Sequence, residues 1–310
     1  MTSSRAACAL VLLCSCARQA VPTAAPVLVD LGRLDDPPPV AKVMELRKDD
    51  PRHALELLKA VWRGATLEKN LALEAYALDR SGDLAMDLRR AYRGDEARLE
   101  DAGADGGLGP VTDACKRARS DYTRAFAIAQ TLDDARLMGR IAHDLGWALE
   151  RCGDLTRAAE WYERALALRL KAHDALGVRY SANNLGVIWD GPKRKRLALY
   201  ELALDAAKVA RDAVGERKAQ TNIARLWFYS GDTGWLGRDW PDAGEPDDYR
   251  LAPLKGEVRQ KFLVSLKGAL YAAGRAGESP WDVCEGLAID GDDCARWQGQ
   301  SAEELFPEAP

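Results

Sequence analysis

Apolar residues fall at helical spacing in several separate stretches of the chain. Asp50-Pro51 has the form of a helix start, and Ala54, Leu57, Leu58 and Val61 then share one face. In Leu145–Ala165, Leu145, Ala148 and Leu149 line one helix, and Ala158, Tyr162 and Ala165 line a second. Gly153-Asp154 joins the two, with glycine suited to the left-handed residue that ends a helix. Val258, Phe262, Leu266 and Leu270 give Lys255–Ala273 the same character. Ala, Leu and Arg dominate, and long alternating runs of Val, Ile and Thr are missing. The pattern predicts an all-α fold.

The stretch at 145–165 recurs. Leu185-Gly186 follows Leu145-Gly146 by 40 residues, and Tyr200 and Ala203 follow Tyr162 and Ala165 by 38. Tyr122 and Ala125 precede Tyr162 and Ala165 by 40. Asn222–Asp232 matches Asp144–Asp154, with Ala224 in place of Gly146. Upstream, the run Asp79–Asp83 matches Glu150–Asp154, which aligns Ala75 with Gly146 and Gly82 with Gly153. On that register Gly82 precedes Gly153 by 71 residues, so about 31 residues are inserted at 83–113. A short charged helix over Asp83–Glu100 and a loop over Asp101–Pro110 fit the insertion; an unpaired extra helix is the alternative. Lys193–Arg196 falls in a turn between paired helices.

These Leu-Gly, Gly-Asp and Ala…Tyr…Ala positions resemble the tetratricopeptide repeat, in a variant with a period of about 40. The resemblance implies a right-handed α-solenoid of helix–turn–helix repeats. The helix after 255 is expected to cap its exposed apolar end.

Residues 1–16 carry Arg5 followed by an apolar run to Leu13, the layout of an export signal and too short to span a bilayer. Leu13-Cys14-Ser15-Cys16 resembles the lipobox of bacterial lipoproteins, which implies lipidation at Cys16 and an outer-membrane protein facing the periplasm or the surface. Residues 17–40 hold five prolines and read as a tether, extended at Pro37-Pro38-Pro39. The expected organisation is signal (1–16), tether (17–40), repeats (41–232), a Trp/Gly/Asp-rich loop (233–254), and a capping helix with a cysteine-containing segment (255–310).

Charge adds little: 44 basic against 48 acidic residues give no reason to expect nucleic-acid binding. His53, His143 and His173 lack metal-ligand spacing, no catalytic or phosphate-binding motif is present, and no cofactor is expected. Asp290–Asp293 is read as a solvated turn. In the resembled family the first helix of each unit lines a groove. By that resemblance Arg140, His143, Asp144 and Trp147 share a binding face with Tyr180, Asn183, Asn184 and Val187, and with Lys218, Thr221, Asn222 and Arg225. Aromatic and basic groups mixed with asparagine amides suit a protein or peptide partner.

In an exported chain cysteines invite pairing. Cys284 and Cys294 enclose a short loop, and Cys115 and Cys152 lie on helices expected to be antiparallel neighbours. The reading that results is a non-enzymatic, lipid-anchored scaffold that binds a peptide or protein partner in its groove, with envelope assembly as the expected setting. Two alternatives stand beside it. One is an enzyme or small-ligand receptor with a pocket under 83–113 and the C-terminal segment; the other is a cytoplasmic regulator, should the signal be misread.

Overall fold

A computed structural model of the protein describes residues 27–99, 109–228 and 256–279, together with Val283 and Leu287. Among the described residues the fold is an all-α solenoid of ten helices, with a single isolated bridge between Val29 and Asp174. A short helix α1 (Pro38–Met44) and α2 (Pro51–Leu67) precede four helix pairs. These are α3 (Leu71–Leu99) with α4 (Gly109–Thr131), α5 (Ala135–Arg151) with α6 (Leu155–Lys171), α7 (Ala175–Ile188) with α8 (Lys193–Val209), and α9 (Ala213–Phe228) with α10 (Gly256–Ala276). Each helix packs on its sequence neighbour, and the first helices α3, α5, α7 and α9 also touch in series.

The turn that links successive pairs is written in the sequence each time. A residue in the left-handed region (Lys69, Asp133, His173, Arg211) is followed by Asn70, Asp134, Asp174 or Asp212. That Asn or Asp accepts a hydrogen bond from the first turn of the next helix, such as Leu137 N–H to Asp134 or Gly177 N–H to Asp174, so a free amide is satisfied. One core runs through the pairs from Ala75 to Ala219, with Tyr122, Tyr162, Leu145 and Leu185 fully buried in it. At the C-terminal end Phe262, Leu266, Ala269 and Ala273 of α10 close over Ala224.

Four expectations need correction. Gly82-Asp83 is not a turn: α3 runs through it to Leu99. Gly82 instead lies beneath Tyr122, as Gly146 lies beneath Tyr162 and Gly186 beneath Tyr200. Aligned on these contacts, Gly82 precedes Gly146 by 64 residues while Tyr122 precedes Tyr162 by 40, so 24 extra residues lengthen this pair rather than 31 following a turn. Second, Lys193–Arg196 forms the first turn of α8 rather than a loop. Lys195 donates to Glu163, and Lys193 sits over the Trp227 ring, which offsets placing cations at a helix N-terminus.

Third, Pro38 and Pro39 do not continue an extended chain. They begin α1 behind Pro37, where their fixed φ and missing N–H cost a helix nothing. Fourth, residues 27–37 are not a free tether; they lie against the first helices. Cys16, Cys284, Cys294, Asp290–Asp293 and the 233–254 loop lie outside the described residues.

Candidate functional site

The face made by α3, α5, α7 and α9 is divided into an occupied half and an open half. Over the occupied half runs the chain's own segment 27–37. Val29 N–H donates to His173 O at 2.9 Å, and Ala175 N–H donates to Val29 O at 3.1 Å. Arg136 donates to the carbonyls of Leu31 (3.1 Å) and Gly32 (2.5 Å). Arg140 reaches Leu34 O at 3.5 Å. Gly32 has φ +66°, and its N–H donates to Asp30, which bends the segment between its two anchored parts. Leu28 and Leu34 pack against the core, whereas Val27, Val29 and Leu31 face solvent.

Asp36 ends this segment inside a charged cluster. Its carboxylate accepts from Arg80 at 2.9 Å and from Arg140 at 3.1 Å. Arg140 also donates to the fully buried Asp79 at 2.6 Å, and Arg80 donates to Asp83 at 2.5 Å. Tyr122 O–H donates to the second oxygen of Asp83 at 2.6 Å. Burial pushes the Asp79 carboxyl up despite Arg140. Asp144 feels the same burial and the fields of Asp79 and Asp83, only partly offset by Arg80 and Arg140, and is pushed up to about 8. In the corrected register Arg80 of the first pair stands where Asp144, Asn184 and Asn222 stand in the next three.

A second buried group lies one pair further on. Arg169 donates to Gly177 O at 2.7 Å and to Ser181 Oγ at 2.8 Å, and Ser181 lies 3.3 Å from His143 Nδ1. Burial, together with the Arg169 and Arg179 guanidiniums, holds His143 well below the usual imidazole range. Burial also lowers Arg169, to about 10. Arg179 is ion-paired with Asp212 and lies over the Tyr180 ring, 3.3 Å from its centroid.

The sequence-derived groove residues therefore separate into two classes. Arg140 and His143 are buried and already bonded, so they build the face rather than offer contacts. The asparagines bond to one another: Asn222 donates to Asn183 at 2.9 Å, Asn183 to Asn184 at 3.3 Å, and Asn184 to Tyr162 O–H at 3.5 Å. Thr221 is buried. Tyr180 (43% exposed), Val187 (49%) and Lys218 remain open to a partner, with Trp147 and Arg225 partly covered.

The sequence reading missed segment 27–37 and the Arg80 and Arg136 contacts to it. Asp36, six residues past Asp30 and just before the prolines, was the one signal available.

Cys115 and Cys152 form a disulfide, Cα to Cα 6.2 Å, that ties α4 to the end of α5. A concavity of about 160 Å³ lies beside it and another of about 240 Å³ beside Trp62 and Asp121, both below the usual size of a small-molecule site. Among the described residues no helix is long and apolar enough to cross a membrane. No protein-family model matches the chain, and a search of curated proteins finds no match either.

Proposed function

We propose that the protein is a non-enzymatic interaction scaffold of the tetratricopeptide type that receives an extended peptide on its first-helix face. One observation carries this reading: the face already holds a non-helical segment, its own residues 27–37, through hydrogen bonds to the segment's main chain. Those bonds use backbone groups that every peptide has. Beside them, Tyr180, Val187 and Lys218 continue the surface, and tyrosine is a residue type enriched at protein contacts. The glycine-under-tyrosine contact in three pairs supports the repeat assignment.

The setting we propose is the bacterial envelope, through a lipid on Cys16. The Cys115–Cys152 disulfide supports it, because such bonds persist in oxidising compartments.

The test places a photo-crosslinking amino acid at Tyr180 or Val187 of the full-length protein in native cells, with Asp205 on the exposed side of α8 as control. A discrete crosslinked protein from 180 and 187, absent from 205, is the expected result. Equal yields from all three positions would remove the face from consideration. Fractionation of the same cells tests the address: the protein is expected with the membranes, and recovery in the cytosol would overturn that part.

A further inference from the structure

The segment 27–37 is held in a definite register. Leu28, Leu34 and Asp36 turn toward the molecule, and the intervening side chains Val29 and Leu31 face outward. Each group that holds it belongs to the seat: Arg136, Arg140, Arg80, the carbonyl of His173 and the N–H of Ala175. Three side chains of the segment are read, and Gly32 at φ +66° makes its bend, so the remaining positions are replaceable.

We propose that this seat is a second docking site, distinct from the open half of the face, and that residues 27–37 are an internal ligand standing in for a partner segment of the same chemistry. That segment bends once at a glycine and carries an aliphatic residue, a second aliphatic residue six positions on, and a carboxylate two positions after that. The inference rests on the peptide-binding reading above. It commits to a protein segment as occupant because the seat supplies main-chain partners along its whole length and two guanidiniums at one end.

Exchange at this seat is feasible on charge grounds. Arg80 and Arg140 face Asp36, Asp79, Asp83 and Asp144 when the segment is seated, with Arg47 also beside Asp83. With Asp36 withdrawn, Asp79 still pairs with Arg140 and Asp83 with Arg80, so neither guanidinium is stranded. Much of the segment's outer surface, including Val27 at 70% exposure, is covered by nothing in the described residues, so a competing segment can displace it from one end.

The experiment uses the full chain and a fluorescein-labelled peptide with the sequence of residues 27–37. Two variants loosen the segment by different means. Val29→Pro deletes the N–H that bonds His173 O, and Asp36→Arg sets a cation against Arg80 and Arg140. Circular dichroism verifies that each is folded, and hydrogen exchange at the Ala175 amide reports release.

The labelled peptide is expected to bind the released variants at least tenfold more tightly than wild type. Peptide binding is also expected to slow exchange at Ala175 again. A peptide carrying Asp36→Ala is expected to bind at least tenfold more weakly. Three results overturn the proposal: equal binding to wild type and variants, no binding to a variant whose Ala175 amide is released, or an Ala175 amide that stays protected in both variants. Crosslinking at Tyr180 and Val187 reads the open half independently, so the two readings can fail separately.

Discussion

The ring of Tyr122 lies so close over Gly82 that a Cβ at that position would fall 2.6 Å from the tyrosine Cζ. The same relationship joins Gly146 to Tyr162 and Gly186 to Tyr200, with a Cβ at 186 falling 2.6 Å from Tyr200 Cε1. Alanine favours a helix over glycine by up to about 1 kcal/mol, but overpacking a filled core costs about 1–3 kcal/mol. Gly82→Ala and Gly186→Ala are therefore each expected to lower stability by about 1–2 kcal/mol in urea unfolding. A midpoint at or above that of wild type would mean the ring moves aside freely.

Asp144 sets one limb of the pH dependence. In the unfolded chain an aspartate ionises near about 3.9. In the folded protein burial and the neighbouring Asp79 and Asp83 hold Asp144 up, to about 8. Between those values the folded state binds the extra proton, so this group's contribution falls as pH rises. Asp144→Asn removes the effect and places here the residue found at 184 and 222. The variant is expected to gain on the order of 2 kcal/mol at pH 8 and little at pH 4. An equal gain at both pH values would show that protonation is not the cause.

His143 acts with the opposite sign. Its folded value is depressed by burial, Arg169 and Arg179, so below about pH 6.5 the unfolded chain takes up a proton that the folded one does not. Stability is expected to fall as pH drops from 6.5 toward the depressed folded value. His143→Asn, matching Asn183 of the next pair, should flatten that slope. Denaturation midpoints at pH 5 and pH 7 provide the check, and an unchanged difference between them would clear His143 of responsibility.

The Cys115–Cys152 disulfide closes a loop with a sequence separation of 37. Chain-entropy bookkeeping for a loop of that size gives about 3–4 kcal/mol. Cys115→Ser/Cys152→Ser, or reduction, is expected to lower thermal stability accordingly. Peptide mapping after thiol alkylation without reductant should leave both cysteines unlabelled; full labelling of either would refute the bond.

The helix pairs were legible because apolar spacing reports a buried face wherever a helix packs on its neighbours. Leu145, Tyr162 and Leu185 were found that way. The register of the first pair was not, because the letters Gly-Asp serve two purposes. At Gly153 the glycine adopts φ +88°, whereas at Gly82 it makes room for a ring within a continuous helix. Neither need leaves a mark that separates one from the other.

The asparagines misled for a related reason. Asn183 and Asn222 lie on adjacent first helices, so their amides satisfy each other before any ligand arrives. Segment 27–37 was hidden because its holding bonds run through main-chain atoms, which carry no sequence signature. Only the linked turn, a left-handed residue followed by Asp or Asn, was readable throughout and went unread.

A linear array of helix pairs has mostly local contacts and can in principle assemble from any point along its length. Segment 27–37 alters that topology. Its bonds join residues 44 to 146 positions apart, from Asp36–Arg80 to the contact of His173 Nδ1 with Val27 O. It emerges from the ribosome before the helices that receive it, and it can be seated only after residue 175 has been made. Closing that long loop is entropically costly and late. Once made, the closure ties the first, second and third pairs into one cooperative unit, so that separating any of these three from the others must first release a segment made before the helices it joins.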